Sequence, residues 1–562
     1  MNDEIMNSNQ IGYITGGSLK EGFIARLTVP PEAVQEGSFV VVENGPRVFY
    51  GLVTNLKLCA TDSKFTDAHT MNRLPAAIRD KLTERTLYTE VEIMPALMQN
   101  IGYAPGTPEY DPFDQNIDPN PLPVKMVPPH HSPLRAAEAF DVAAIFGSPG
   151  DPKHFEIGST REQGHPVAIN MEKFVERSSG IFGSTGTGKS YLTRMILAGL
   201  IRSRQASALV FDMHNEYAFS TASVDSGSGG KNVPGLKQKL PDRVKVCALG
   251  RGNRINGMLP DFDLMIEYSD VTPTDVQMLT RELNLRETTA TTLFALERSF
   301  KDKWLQTFME MKPGSQYGTV EEWADANNIN VAAAESLQSK LNRLYHSDYM
   351  IDKTPHNVVS QIINALENGI SVILSFGKFQ TDLDYLLVAN ILTRKVRAEW
   401  ERRSEEYFSG KGFAKPTPLV VAIEEAHKLL NREMASQTAF SLIAREMRKY
   451  SVTLLVIDQR PSQIDDEIMS QLGTRVSGWL GDELDIAAVL SGLSGKDSLR
   501  GMLSRLQPKQ EVLLLGYGVP MPLPIRSRLY DNEFWNQLLK INNHSLDIPD
   551  QLPEEDDDWM SN

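Results

Sequence analysis

Between Ile11 and Ile93, apolar and polar positions alternate in short runs separated by glycine turns: Ile11–Thr15, Phe23–Leu27, Phe39–Val42, Val48–Val53 and Tyr88–Ile93. Alternation with a period of two marks strands with one buried face, and several at this spacing predict a small N-terminal β-barrel over residues 1–103. Proline, Asp and Asn then crowd together, as in Asp118-Pro119-Asn120-Pro121-Leu122-Pro123, which predicts a largely extended connector over 104–165. Beyond it the pattern becomes apolar strands followed by amphipathic helices, as in a parallel sheet covered on both faces. Strands are predicted at Gly180–Phe182, Ala208–Phe211, Val244–Leu249, Ser371–Ser375, Leu419–Ile423, Thr453–Ile457 and Val512–Leu515, within a domain over 166–530. Residues 272–349 instead carry helical spacing, as in Leu279-Leu283 and Leu337-Leu341-Leu344, and predict a helical insertion.

Composition narrows the picture. A chain of 562 residues with 41% hydrophobic content exceeds what one core organises. The net charge of −15 argues against a uniformly basic, nucleic-acid-coating surface, while leaving room for a local basic channel. Part of that acidity lies in the run Pro553–Trp559 of a polar tail over 531–562, read as solvated or as a docking peptide. No run approaches the roughly 20 apolar residues of a membrane span. The start Met1–Ile5 lacks the basic and apolar segments of a signal peptide, so a cytoplasmic protein with no membrane association is expected. Cys59 and Cys247 sit in apolar runs and read as packing residues, and His130-His131, without Cys or acidic neighbours, as a solvated loop.

The candidate chemistry centres on Gly183-Ser184-Thr185-Gly186-Thr187-Gly188-Lys189-Ser190, which fits G-x-x-x-x-G-K-S between an apolar strand and a helix. In such a P-loop the glycines let backbone N–H groups curl around phosphates, Lys189 supplies charge to the β- and γ-phosphates of ATP, and the Ser190 hydroxyl reaches Mg²⁺. Hydrolysis also needs an acid beside the metal and a base aimed at water. The strand Leu419–Ile423 ends in Glu424-Glu425-Ala426-His427, which places Glu424 for the Mg²⁺ shell and Glu425 to polarise water. A second acid-bearing strand end, Phe211-Asp212-Met213-His214-Asn215-Glu216-Tyr217, brings Asp212 and Glu216 either to the same nucleotide site or merely to a turn. Gln459, after the strand Thr453–Ile457, is the candidate γ-phosphate sensor, its alternative being a turn residue before Pro461. Arg445 and Arg448 lie in a helix end suited either to transition-state charge on a neighbour's phosphate or to solvent. Lys231, Lys237, Lys239 and Arg243, behind the glycine/serine run 225–230, read equally as a mobile basic element and as a solvated loop.

Taken together and in this order, the barrel, the P-loop, Asp212–Tyr217, Glu424–His427, Arg445–Tyr450 and Gln459–Ser462 resemble the HerA family of the HerA/FtsK superfamily. The resemblance implies an α/β fold class: a RecA-like P-loop ATPase domain with a parallel-rich central sheet, preceded by a barrel akin to that of ATP synthase subunits. It implies a homo-hexameric ring that translocates on double-stranded DNA and works with a nuclease of the NurA kind or a phage-defence effector. It assigns Lys189 and Ser190 to nucleotide and Mg²⁺, Glu425 to the catalytic base, Gln459 to the sensor, and an arginine of Arg445–Lys449, Arg448 being chosen, to action in trans. Arg177 matches a basic residue that the family carries before the P-loop strand. Many members have Asp where this chain has Glu424. The competing reading is a nucleotide-gated scaffold that recruits a nuclease or sirtuin-type effector; a polypeptide-moving ATPase of the secretion kind ranks last.

Overall fold

The computed structural model describes residues 9–66, 75, 82, 86–103, 106–111, 117–222, 232–286, 289–355, 357–410, 414–434 and 438–544. Strands β1 (Gln10–Ser18), β2 (Gly22–Leu27), β3 (Phe39–Asn44), β4 (Arg47–Ala60) and β5 (Leu87–Asn100) form where the alternation predicts them. Their inward residues, including Ile14, Phe23, Val40, Val42, Phe49, Val53 and Ile93, share one core. Two further strands come from the stretch expected to be a connector: β6 (Asp118–Pro123) and β7 (Pro133–Ala136). β7 pairs antiparallel with both β1 and β3, while β2 pairs with β5, so the barrel closes in the order β2-β1-β7-β3-β4-β5. The expectations of a barrel ending at 103 and a linker over 104–165 are thereby corrected. Proline is tolerated in an edge strand such as β6 and at the first position of β7, where no ladder N–H is missed, and its frequency concealed both strands.

The second domain begins with the hairpin β8 (His154–Thr160) and β9 (Pro166–Asn170), earlier than the expected 166. Then come β10 (Ser179–Phe182), β11 (Ser207–Asp212), the small pair β12 (Thr221–Ala222) and β13 (Asn232–Val233), and β14 (Val244–Leu249) and β15 (Phe262–Leu264). A parallel pairing of β16 (Ile266–Glu267) with β17 (Met350–Ile351) closes the base of the helical insertion. Its helices include Thr289–Phe300 and Val331–Tyr345, and Leu279, Leu283, Leu337, Leu341 and Leu344 are buried as their spacing predicts. The chain continues through β18 (Ser371–Ser375), β19 (Leu419–Glu424), β20 (Val452–Asp458), β21 (Thr474–Ser477), β22 (Glu511–Gly516) and β23 (Leu523–Ser527). One twelve-stranded sheet results, ordered β15-β14-β18-β11-β19-β20-β10-β21-β22-β23-β8-β9, parallel as far as β21 and antiparallel thereafter. The strands β11, β18, β19 and β20 are buried at every residue, which is why they read as continuous apolar runs.

The C-terminal segment also departs from expectation. Asn532–His544 is a helix whose Phe534, Trp535 and Leu538 are buried, with the Phe534 ring 6.3 Å from that of Phe155 and the Arg202 Nε donating to the Leu538 carbonyl at 2.6 Å. The reading of 531–562 as a polar tail is corrected for this part, which packs through a sparse apolar stripe among polar residues. The acidic run 553–559, the segment 225–230 and Lys231 lie outside the described residues. Lys237 is tied to Asp261 at 3.0 Å and to the Val244 carbonyl at 2.9 Å, which fixes it against the sheet. Cys247 is buried and Cys59 half-buried, both free thiols, and among the described residues no helix is long and apolar enough to cross a membrane.

Candidate nucleotide site

Parallel strands present their C-terminal ends on one edge, and the site forms there. β10 leads into Gly183–Ser190, and the helix Lys189–Ser203 follows. Gly186 and Gly188 have φ of +77° and +88°, left-handed values that glycine adopts without strain and that let the loop wrap a phosphate. The loop is fastened by its own groups: Thr187 Oγ1 donates to the Ser184 carbonyl at 2.7 Å, and the Ser184 N–H donates to the Trp479 carbonyl at 3.1 Å. Lys189 and Ser190 open the helix, whose N-terminal N–H groups favour an anion.

Between β10 and β19 runs β20, so the sensor turn stands between the P-loop and the paired acids. Thr185 Oγ1 donates to Gln459 Oε1 at 2.5 Å, and Gln459 Nε2 donates to Glu425 Oε1 at 3.1 Å, linking P-loop, sensor and candidate base in one chain of hydrogen bonds. Glu425 has φ of +46°, a left-handed conformation that costs a non-glycine residue on the order of 1–3 kcal/mol and recurs at functional sites. Glu424 is buried; its Oε1 accepts from the Tyr217 hydroxyl and its backbone carbonyl from the Tyr385 hydroxyl at 2.7 Å. Burial pushes the Glu424 carboxyl above the usual range, helped by the charges of Asp212 and Glu216 and opposed by the Tyr217 hydrogen bond and Lys189.

Asp212 ends β11 and accepts hydrogen bonds from the turn that follows. Its Oδ1 accepts from the Glu216 N–H at 2.7 Å and its Oδ2 from the Tyr217 N–H at 3.0 Å, so this carboxylate builds the turn, while burial raises its pKa. Glu216 is held in place by Arg194 of the P-loop helix, a buried residue whose Nε donates to the Glu216 carbonyl at 3.0 Å. Neither Arg194 nor Tyr217 is discernible as a site residue from motif spacing; both act through distant parts of the chain.

The arginines lie elsewhere. Arg177 precedes β10 and Arg445 and Arg448 precede β20, so all three sit at the N-terminal edge of the sheet, with roughly 20 Å of extended chain between Arg177 and Gly183. They line one cavity of about 290 Å³ with Arg475 and Tyr517. The Arg177 guanidinium stacks 4.1 Å above the Tyr517 ring, Arg448 pairs with Glu176 at 2.5 Å, and Arg445 with Glu467 at 2.9 Å. A second cavity, of about 340 Å³, adjoins the P-loop and is lined by Thr187, Tyr191, Met195, Arg528, Leu529 and Tyr530. No P-loop pattern points to those last residues, which fall more than 300 positions downstream of Lys189.

Residues 155–396 match the family described as "Helicase HerA, central domain", and residues 11–74 match the HAS barrel domain. The DNA double-strand break repair helicase HerA of Saccharolobus solfataricus is 22% identical over 529 residues, 93% of each chain. The protein of the same name from Sulfurisphaera tokodaii is 25% identical over 527 residues, 92% of each chain. VirB4 of Thermoanaerobacter pseudethanolicus superposes with a TM-score of 0.42 at 15% identity, over 68% of this chain and 98% of its own. With a match to the HAS barrel ahead of a match to the HerA central domain, an intact P-loop within the latter, and similarity over more than nine-tenths of two HerA proteins, the chain is similar in domain order and sequence to the HerA family of P-loop ATPases.

Proposed function

We propose that the protein is an ATP-driven motor that moves along double-stranded DNA as a homo-hexameric ring and serves a partner nuclease in DNA end processing or phage defence. The observation that carries the ring is the division of the site between two edges of one sheet. The P-loop, Glu425 and Gln459 stand at the C-terminal edge, whereas the exposed Arg448 stands at the opposite edge and reaches a phosphate only across a subunit boundary. DNA as the track is supported by the relatives, which are named as DNA double-strand break repair helicases.

In this reading Lys189 and the P-loop N–H groups hold the ATP phosphates, Glu425 takes the proton of the attacking water, and Gln459 positions that water and senses the γ-phosphate. Mg²⁺ fits the residues present. Among the described residues, Glu424 Oε2 and Glu216 Oε2 are buried without hydrogen-bond partners. That suits an ion that takes one or two protein oxygens and completes its shell with water and phosphate. Ser190 and Glu424 would hold it, and when bound it would neutralise charge between the β- and γ-phosphates. The cavity beside the P-loop takes the adenine: Leu529 is 71% exposed, so Leu529→Asp is expected to spare folding and raise the KM for ATP about tenfold, read in steady-state kinetics.

The test is ATP hydrolysis with and without linear duplex DNA, alongside mass in solution. Stimulation by DNA should collapse between about 50 and 200 mM salt as phosphate contacts release counterions. Hydrolysis indifferent to DNA at every salt concentration would sink the motor and favour the scaffold that recruits a nuclease or sirtuin-type effector.

A further inference from the structure

The turn that carries Glu425 and the turn that carries Gln459 belong to different strands, yet one side chain grips both. Asp458, the last residue of β20, is wholly buried. Its Oδ2 accepts from the His427 backbone N–H at 2.7 Å, and its Oδ1 accepts from the Arg460 backbone N–H at 2.7 Å. The first of these bonds fixes the residue two positions after Glu425; the second fixes the residue after Gln459. The His427 ring adds a further tie, with Nδ1 3.0 Å from Asp458 Oδ2 and 3.7 Å from Glu425 Oε2.

The Glu425 carboxylate is therefore flanked on both oxygens, by Gln459 Nε2 on Oε1 and by His427 Nδ1 beside Oε2. Glu425 sits at φ +46°, a conformation that persists only where its surroundings hold it, and the Asp458–His427 contact, two residues further on, ties its turn to the sensor turn. The charges around the imidazole are Asp458, Glu425 and Lys428, the last paired with Asp382 at 2.7 Å. Burial alone would lower the His427 pKa; the bond to Asp458 and the charges of Asp458 and Glu425 outweigh it and raise it.

We propose that His427 and Asp458 form a positioning pair that locks the base turn and the sensor turn in register and aims the Glu425 carboxylate. The inference rests on Glu425 being the base. It concerns the geometry of the chemical step and not nucleotide affinity, and that difference is measurable.

The experiment compares steady-state hydrolysis and fluorescent-ATP binding for the full-length protein and four variants: Glu425→Gln, His427→Ala, His427→Asn and Asp458→Asn. His427→Ala and Asp458→Asn are expected to lower kcat about 10- to 100-fold, as a misplacement of about 1 Å does, with KM and nucleotide affinity unchanged. His427→Asn, whose amide nitrogen takes the place of Nδ1, is expected to recover most of the loss. If the alanine variant does not fold, Asp458→Asn and His427→Asn decide the matter by the same split. Wild-type kcat in Asp458→Asn, or affinity that falls in step with kcat, overturns the pair. If Glu425→Gln itself hydrolyses ATP normally, the base assignment has failed first; loss there with no loss in the other variants overturns the pair alone.

Discussion

Glu425→Gln is expected to bind ATP with unchanged affinity and to hydrolyse it about 10²- to 10⁴-fold more slowly, the range that a positioned general base contributes. The substitution keeps the length of the side chain and an oxygen that accepts from Gln459 Nε2, so the chain of hydrogen bonds from Thr185 through Gln459 survives. What it removes is the capacity to take a proton from water. Glu424 is not placed to substitute, because its side chain is buried with Oε1 engaged by the Tyr217 hydroxyl. The check is a single-turnover measurement with nucleotide binding followed separately. Hydrolysis within about threefold of wild type would remove Glu425 from the mechanism and leave Gln459 without a partner to position.

How much of this was legible beforehand depended on whether a residue's role is local. The P-loop, the Glu424-Glu425 pair and the buried strands β11, β18, β19 and β20 declare themselves, because motif spacing and unbroken apolar runs are properties of contiguous sequence. β21 did not: Thr474-Arg475-Val476-Ser477 looks polar but is wholly buried, since Arg475 donates to the Ser491 and Met469 carbonyls at 2.7 Å each. β7 was hidden by its proline, and its role as the stave between β1 and β3 is fixed only by partners about 90 to 120 positions away. The same holds for the site. Arg194 acts on Glu216 and Asp458 on His427, pairings that no spacing rule contains, whereas Asp212, flagged for its place at a strand end, serves the turn.

The second large effect belongs to Arg448, and it distinguishes a ring from a self-sufficient subunit. Arg448→Ala is expected to lower kcat by about 10³-fold, the lower end of what an arginine supplied to transferring phosphate contributes. Its present contact, the exposed ion pair with Glu176, contributes little to stability, so folding should be indifferent to the change. The informative step is to mix Arg448→Ala with Glu425→Gln, each nearly inactive alone. If the arginine acts across a boundary, a subunit with intact Glu425 can receive Arg448 from a neighbour of the other type. Roughly a quarter of the sites in an equal random ring then regain both groups. Hydrolysis in the mixture well above that of either variant places Arg448 in trans and makes assembly a condition of turnover. A mixture no faster than the average of its parts would mean that each subunit uses only its own residues. The arginine edge would then have a structural role, with Arg177 on Tyr517 and Arg448 on Glu176 as its contacts.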